Sequence, residues 1–267
     1  MDISKFRIGP SAKVDLATID TAAPDGSDKA SAIKRIAELT ARLAELQNML
    51  FADDQQKVLV VLQATDTGGK DGTIRKVFGA LNPQGVRVAN FKVPTEVELG
   101  HDYLWRVHQQ MPGSGELIIF NRSHYEDVLV VRVHDLVPRE RWKKRYGHIV
   151  NFEQMVADEG TTVVKFFLHI SKAEQAERLQ ARLDDPEKRW KFLAGDLEER
   201  KFWDDYQAAY VDMLAKTSTK DAPWFVIPAD NKWYRDLVVA EIMVATLEGL
   251  NLSYPAIADG LENVVID

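Results

Sequence analysis

Residues 57–73, KVLVVLQATDTGGKDGT, decide the fold of this chain. A short apolar run at 58–62 is followed at once by a glycine-rich turn that ends in Gly69-Lys70. Glycine lets the backbone turn tightly enough for its N–H groups to surround a phosphate. Lys70 adds positive charge, and a helix that begins near Thr73 would point the positive end of its dipole at the same anion. The stretch therefore predicts a buried strand that runs into a phosphate-binding loop. The residues expected to bind phosphate are Thr67, Gly68, Gly69, Lys70, Asp71, Gly72, Thr73 and Arg75.

The loop departs from the usual G-x-x-x-x-G-K-[ST] pattern at two positions. Ala64 stands where the first glycine is expected, and Asp71 replaces the hydroxyl residue that usually ligates magnesium. Thr73 lies two residues further on, and Asp66 places a carboxylate inside the loop, where it could hold Mg²⁺ or a phosphate acceptor. A strand-to-helix turn that needs its glycines only for geometry remains the alternative interpretation.

Composition sets the class of protein. The chain has 267 residues, of which 45% are hydrophobic and 28% charged, and it contains no cysteine. Disulfides, thiol catalysis and Cys-based metal sites are therefore excluded, and a reducing, cytoplasmic location is expected. No apolar run approaches the ~20 residues that span a bilayer, and the first twenty or so residues lack the apolar core of a secretory signal. A formal charge of −7 argues against a nucleic-acid partner, so any anionic substrate must meet a local basic cluster.

Apolar strands alternate with helices along the chain, which is typical of a parallel sheet covered on both faces. We expect an α/β fold: one P-loop kinase-like domain over 1–267, built as a three-layer sandwich around about five parallel strands, with a helical lid. The predicted segments are an extended arm at 1–27, strands near 58–63, 86–92, 116–120, 162–170 and 224–227, and helices near 28–51, 73–81, 95–108, 139–158, 172–183, 196–217 and 233–247.

A second polar cluster, NRSHYED at 121–127, follows the strand at 116–120. Ligands of such sheets bind at the carboxyl ends of the strands. In phosphate-loop folds an Asp that serves magnesium often stands here, but this chain has Asn121, so Glu126 or, preferably, Asp127 would supply the carboxylate. Arg122 and Arg132 could bind phosphate through two hydrogen bonds each. Acidic residues placed at a helix N-terminus for its dipole are the alternative.

Two basic clusters stand out in this acidic chain. The first, RERWKKR at 139–145, could meet an anionic ligand, but a solvated helix face explains it equally well. In the second, Arg178 and Arg182 share a helix face, a break follows at 184–186, and Lys188 comes next. Cations on both sides of a helix break favour a lid over 178–195 that closes on phosphates. A salt-bridged surface is the alternative.

Four segments together resemble the polyphosphate kinase 2 family, over about residues 30–250. They are LQATDTGGKDGTI at 62–74, PTEVELGHDYLWRVH at 94–108, FNRSHYEDVLVVRVH at 120–134 and DDPEKRWKF at 184–192. The resemblance implies a phosphate-loop kinase that uses Mg²⁺ to move phosphoryl groups between inorganic polyphosphate and nucleotides. It places the family's loop aspartate on Asp66, its lysine on Lys70 and its strand-end arginine on Arg122.

Asn121 departs from the Asp that many family members carry. With Glu126 and Asp127 it is similar to the subgroup, class III, that phosphorylates both nucleoside mono- and diphosphates. The resemblance therefore implies AMP and ADP as acceptors, with guanine nucleotides as further candidates, and it moves the metal to Asp66 and Asp127. The expected catalytic set is Asp66, Lys70, Arg122 and Asp127, and the expected nucleotide-binding set is Asn121, Arg122, Glu126 and Arg132.

In the resulting hypothesis polyphosphate lies along Lys70 and residues 71–75, and the nucleotide binds toward Arg122 and the lid. We also expect a homo-oligomer. Two other functions stay open at this point. An ATP-dependent nucleoside or nucleotide kinase would share the loop and the lid. A non-catalytic polyanion-binding module would explain Asp71 and Asn121, which depart from the catalytic pattern.

Overall fold

The apolar run after Lys57 forms the central strand β2 (Lys57–Ala64), in which every residue from Val58 onward is buried. The computed structural model describes residues 1–192 and 194–256. Val58, Val60 and Leu62 point into one core and Leu59 and Val61 into the other, since successive side chains of a strand alternate between faces. Both faces are apolar because both are covered.

Six strands form one sheet in the described part of the chain, in the order β1-β6-β5-β2-β4-β3. They are β1 (Arg7–Ile8), β2, β3 (Val86–Asn90), β4 (Leu117–Asn121), β5 (Thr161–His169) and β6 (Trp224–Pro228). Strands β2 to β6 are parallel to their neighbours, whereas β1 pairs antiparallel with β6. The predicted α/β fold with about five parallel strands is confirmed, and β1 is an addition at one edge.

Helices cover the sheet on both faces. They are α1 (Lys29–Asp53), α2 (Lys70–Val77), α3 (Glu96–Leu99), α4 (Trp105–His108), α5 (Val130–Val133), α6 (Arg139–Asp158), α7 (Lys172–Asp184), α8 (Ala194–Lys201), α9 (Trp203–Thr217) and α10 (Lys232–Glu248). Helices α1, α2 and α10 pack on one face and α6 and α9 on the other. These layers form the three-layer sandwich that the alternation of elements predicts.

Several elements differ from the sequence-based expectation. The arm at 1–27 contains β1 and two short 3-10 helices, because it adds an edge strand to β6 that is too short to show a periodic pattern. The helix expected at 95–108 is split into α3 and α4, since the Asp102 side chain accepts a hydrogen bond from the Leu104 N–H (2.9 Å) and starts a new turn. The long helix expected at 196–217 is interrupted at Phe202, between α8 and α9.

The predicted lid, 178–195, spans the end of α7, a 3-10 helix (Arg189–Lys191) and the start of α8. Leu193 and residues 257–267, which fall within the expected lid and the expected domain, lie outside the described residues. In the ranges 1–192 and 194–256, no helix combines the length and the apolarity required to traverse a bilayer.

The ends of three strands lie level at one edge of the sheet. Leu62 of β2 is in register with Asn121 of β4, which in turn pairs with Asn90 of β3. The chain segments that leave β2, β3 and β4 therefore meet at this carboxyl edge, which is where ligands bind in parallel sheets.

Candidate active site

A cleft of about 1090 Å³ opens at the carboxyl edge of β2, β3 and β4 and is completed by α7 and α10. It brings together most of the residues that the sequence singles out. Those that line it are Asp66, Thr67, Gly68, Gly69, Lys70, Asp71, Gly72, Arg75, Asn121, Arg122, Arg178, Arg182 and Lys188.

The phosphate loop needs its glycines for steric reasons. Thr67 and Gly69 both adopt positive φ, +61° and +102°, a region that glycine enters without strain. A Cβ on Gly68 would overlap the Cβ of Ala64, and one on Gly69 would overlap the guanidinium of Arg235. Larger residues at 68 or 69 would therefore force the loop apart.

Lys70 opens α2, three residues earlier than the sequence suggests, so its N–H belongs to the helix N-terminus. Its Nζ donates to the carbonyl oxygen of Ala64 at 3.3 Å. Burial and the neighbouring Arg122 lower the pKa of Lys70 to about 8, against the opposing pull of Asp66, Glu126 and Asp71. The pKa of Lys70 therefore lies close to neutral pH, and a bound phosphate would stabilise the charged form of the side chain.

Asp66 offers an oxygen that suits a metal ion. Its Oδ2 is buried without a hydrogen-bond partner, and the nearest cation, Arg182, lies 3.7 Å away. Among the described residues no group of three His, Cys, Asp or Glu side chains could by itself hold a metal. Mg²⁺ in kinases is usually held by one or two carboxylates together with substrate phosphates and water. The donors present fit a magnesium ion that is shared with the substrate.

Asn121 and Arg122 end β4 at the mouth of the cleft. The Asn121 amide donates to Oδ1 of Asp71 and to Oδ1 of Asn90, both at 2.9 Å. Asn121 is thus a link between the loop and β3. Arg122 has φ +61° and is exposed to the cleft; a non-glycine residue in this conformation is strained, which is common at functional sites.

Asp127 does not line the cleft, although it is expected to act in catalysis and to bind the metal. It lies in a 3-10 helix (His124–Asp127), is buried, and accepts a hydrogen bond from Arg145 at 2.8 Å. Burial raises the pKa of Asp127 to about 6, although Arg145 and Arg106 oppose this. Consecutive side chains of a 3-10 helix point about 120° apart, so Asp127 faces α6 whereas its neighbour Glu126 faces elsewhere.

Glu126 is the better-placed carboxylate of the pair. It is half-buried, and its charge acts on the pKa of Lys70 and of Tyr206 and Tyr210 in α9. It does not line the cleft directly. Glu126 therefore contributes to the electrostatic field at Lys70 from just behind the cleft wall.

Two other expected ligands are also placed away from the cleft. Thr73 is fully buried, and its hydroxyl donates to the Gly69 carbonyl at 3.2 Å, one helical turn back. Arg132 donates to Asp212 of α9 at 2.6 Å, because α5 carries it to the packing face between α6 and α9. Neither side chain lines the cleft.

The arginines of α7 take different positions. Arg178 is buried and donates to the carbonyl oxygens of Thr67 (3.0 Å), Ala229 (2.5 Å) and Asp230 (3.0 Å). It fixes α7 to the loop, which differs from an arginine carried by a moving lid. Arg182 reaches Asp66 (3.7 Å) and Asp196 (3.6 Å), and Lys188 is exposed and paired with Asp185.

The sequence reasoning missed residues on two sides of the cleft. The end of β3 and the segment after it contribute Asn90, Phe91, Lys92 and Val93, α7 contributes Glu174 and Glu177, and the 3-10 helix and α10 contribute Trp190, Lys232 and Arg235. The strand-end rule that identifies the loop and Asn121 applies equally to the ends of β3 and β6 and would have pointed to Lys92 and Lys232. Arg235 lacks such a marker, since it stands within a helix.

Several known proteins are similar in sequence to this chain over most of its length. The sequence profile of Polyphosphate kinase 2 (PPK2) matches residues 26–254. A protein of Meiothermus ruber named AMP/ADP-polyphosphate phosphotransferase is 59% identical over 268 residues, which is 99% of this chain and 100% of that protein. One of Rhodopseudomonas palustris named ADP-polyphosphate phosphotransferase is 45% identical, over 94% of this chain and 91% of its own.

A solved structure gives the same result for the fold. The crystal structure of Polyphosphate Kinase 2 from Arthrobacter aurescens TC1 superposes with a TM-score of 0.91 at 45% identity, over 95% of this chain and 91% of that one. The resemblance seen in the four sequence motifs is thereby confirmed. Because the phosphate loop, Asn121-Arg122 and the arginines of α7 all lie within the matched residues, this chain belongs to the polyphosphate kinase 2 family.

Proposed function

We propose that this protein is a polyphosphate kinase that transfers phosphoryl groups from inorganic polyphosphate to AMP and ADP, giving ADP and ATP. The observation that carries this proposal is the convergence of Lys70, Arg122 and Arg182 on one cleft, next to an oxygen of Asp66 that accepts no hydrogen bond. The two acceptors are suggested by the name of the 59% identical Meiothermus ruber relative. The names of both relatives include polyphosphate.

The reaction needs little from the protein beyond placement and charge. A phosphate oxygen of the nucleotide attacks the terminal phosphorus of polyphosphate; one P–O bond forms, and the P–O bond to the rest of the chain breaks. The attacking oxygen is already deprotonated, so no general base is required. The shortened chain leaves as an anion.

The cations of the cleft balance the charge that moves during transfer. The backbone N–H groups of Gly69 and Lys70 and the Lys70 side chain would hold the phosphate at the reacting end, with Arg122 and Arg182 on its other sides. Asp66 would hold Mg²⁺ together with the substrate phosphates, and the ion would neutralise charge between donor and acceptor. Asn121 would keep Asp71 in place beside the loop through its 2.9 Å hydrogen bond.

The test is to incubate the purified protein with Mg²⁺, polyphosphate and either AMP or ADP, and to separate the products by chromatography. We expect ADP and then ATP from AMP, and ATP from ADP. The control is Lys70→Ala. It should lower turnover by at least about 100-fold, because it removes the positive charge that stabilises the phosphoryl group during transfer. Turnover with ATP and a nucleoside, but none with polyphosphate, would instead select the ATP-dependent kinase.

Three further features belong to the same proposal. We expect guanine nucleotides as additional acceptors, a homo-oligomer in solution, and a cytoplasmic location, which the absence of cysteine suits. Assays with GMP and GDP, light scattering of the purified protein and cell fractionation test them in turn.

A further inference from the structure

Arg235 is a buried cation at the phosphate loop that sequence reasoning does not find. It stands in the first turns of α10, directly after the carboxyl end of β6, and only 2% of it is exposed. The little that is exposed belongs to the wall of the cleft. A charged side chain is almost never buried to this degree unless it is paired or functional.

Its guanidinium lies against the backbone of the loop at two points. A Cβ on Gly69 would overlap Nη1, and a Cβ on Gly72 would lie 3.2 Å from Nη2. These two glycines flank Lys70 and Asp71, so Arg235 supports both the last turn of the loop and the first turn of α2. The absence of side chains at 69 and 72 is what lets the guanidinium approach this closely.

The guanidinium is held in place by one carboxylate. Oδ1 of Asp236 accepts hydrogen bonds from Nε at 2.9 Å and from Nη2 at 2.7 Å. Nη1, on the side of Gly69, is left to face the loop. A buried ion pair is weak support for stability, because desolvation offsets much of its attraction. Packing alone therefore does not explain why an arginine stands here.

Three cations gather around this point, and two of them are paired: Arg178 with Glu174 and Arg235 with Asp236, both at 2.7 Å. Arg178 and Lys232 lie near Arg235, and all three line the cleft. The first turn of α10, which is within the described residues, carries no acidic side chain, although acids are the residues that stabilise a helix N-terminus. The three cations nevertheless repel one another, and an anion in the cleft would reduce this repulsion.

We propose that Arg235 is a positioning residue: it braces the loop at Gly69 and Gly72 in the phosphate-binding conformation and adds its charge to the field at the bound phosphate of inorganic polyphosphate. This inference rests on the proposed function for the identity of the ligand. It predicts that Arg235 governs affinity for polyphosphate and leaves affinity for the nucleotide acceptor unchanged.

The test measures binding without turnover. Calorimetry with inorganic tripolyphosphate compares the wild type with Arg235→Met and Arg235→Lys. We expect Arg235→Met to weaken binding by about 10-fold or more, as for the loss of a charged hydrogen-bonding group, and Arg235→Lys to recover part of the loss. In steady-state assays KM for polyphosphate should rise while KM for AMP stays constant.

The matched control is Arg42→Met. Arg42 also contacts α10, through Glu248 at 3.1 Å, but at the far end of that helix. The Arg42→Met variant should bind tripolyphosphate with the affinity of the wild type. A folded Arg235→Met protein with wild-type affinity would overturn the inference.

A second variant covers the case in which Arg235→Met does not fold. Gly72 lies in helix α2, and Gly72→Ala places a methyl group against the guanidinium of Arg235. At other helix positions this substitution favours the helix. We expect Gly72→Ala to bind tripolyphosphate more weakly with an unchanged or higher Tm; unchanged affinity would contradict the inference. A wild type that binds tripolyphosphate but transfers no phosphate would overturn the proposed function alone.

Discussion

Lys70 of the phosphate loop carries a charge that titrates close to neutral pH. Its pKa is lowered to about 8 by burial and by Arg122, so the side chain is fully charged only below about pH 7. The pH dependence of phosphate binding should therefore be set by Lys70.

Tripolyphosphate affinity should be constant below about pH 7 and fall as the pH rises through about 8. The sign follows because the anion binds the protonated lysine, and protons are lost from the free protein above its pKa. Calorimetry from about pH 6.5 to about pH 9.5 measures this. Lys70→Arg is the control, since arginine does not titrate in this range; the same fall in that variant would locate the titrating group elsewhere.

Glu126 and Asp127 are adjacent in sequence but differ in environment, and two isosteric variants separate them. Glu126→Gln should lower turnover by about 10-fold or more, with little change in Tm, because the Glu126 charge raises the pKa of Lys70 and its loss leaves less of the lysine protonated. Asp127→Asn should leave turnover within a few fold and lower stability by about 1–3 kcal/mol, since Arg145 loses its charged partner. Urea denaturation and steady-state kinetics give both quantities, and the opposite pattern would support the metal role expected for Asp127.

The residues of the loop could be read from the sequence, whereas the direction of a side chain could not. Glycine at 68 and 69 and the lysine at 70 follow from the geometry that any phosphate loop requires. Whether Glu126 or Asp127 faces the cleft depends on the 3-10 turn after β4 and on the position of Arg145 in the folded chain. Thr73 similarly bonds to its own helix instead of a ligand.

At the scale of elements, helix α7 is anchored at Arg178, whereas the side chain one turn later is partly exposed to the cleft. Arg178 is fixed by three backbone carbonyls, from the loop and from the segment after β6. Arg182, one turn later, is partly exposed and reaches Asp66 only at 3.7 Å. The first half of α7 is thus part of the rigid site, and any closing motion must begin beyond Arg178.

Truncating these two arginines should have different consequences. Arg178→Ala leaves three carbonyls without their donor and should lower the free energy of unfolding by about 2–4 kcal/mol, with a parallel loss of activity. Arg182→Ala should lower turnover by about 10-fold or more while the Tm stays close to that of the wild type. Thermal denaturation beside kinetics measures both, and an equal loss of stability in Arg182→Ala would mean that its role is structural.

Element boundaries were predictable where a local cause lies in the sequence. Asp28 caps α1 through the N–H groups of Ala30 and Ser31, and Ser171 caps α7, as the residue types suggest. The split between α3 and α4 also has a local cause, the Asp102 side chain, but the apolar periodicity does not show it, whereas the edge strand β1 depends on a tertiary contact. Strand β1 exists because the backbone of β6 offers it a partner, which no periodicity in residues 1–27 records.

At the scale of the molecule, a buried polar network joins four elements on one side of the sheet. Lys165 of β5 donates to Glu153 of α6 (2.6 Å), to the Tyr125 hydroxyl after β4 (2.8 Å) and to the Thr217 carbonyl at the end of α9 (2.8 Å). Glu153 also accepts from Tyr125 at 2.7 Å. The network holds Tyr125 in place, and with it the segment that follows Arg122 and carries Glu126.

A double-mutant cycle should reveal this coupling. Glu153→Gln alone leaves the Lys165 ammonium buried without a counter-charge and should cost about 3–5 kcal/mol. Combining it with Lys165→Met should cost clearly less than the sum of the two single changes, because the uncompensated charge is gone. Urea denaturation of the four proteins measures the coupling, and additive costs would mean that the two groups act independently.

The residues that hold the phosphate loop lie far behind it in the sequence, and this order matters while the chain is being synthesised. The loop emerges early from the ribosome, but Ala229 and Asp230, which anchor Arg178, and Arg235 itself are translated much later. The edge strand made first, β1, likewise waits for its partner Phe225 in β6. Nascent chains stalled before Trp224 should therefore fail to retain tripolyphosphate, so that substrate capture begins only after β6 and the start of α10 have been made; retention by such chains would show that the loop is competent without its brace.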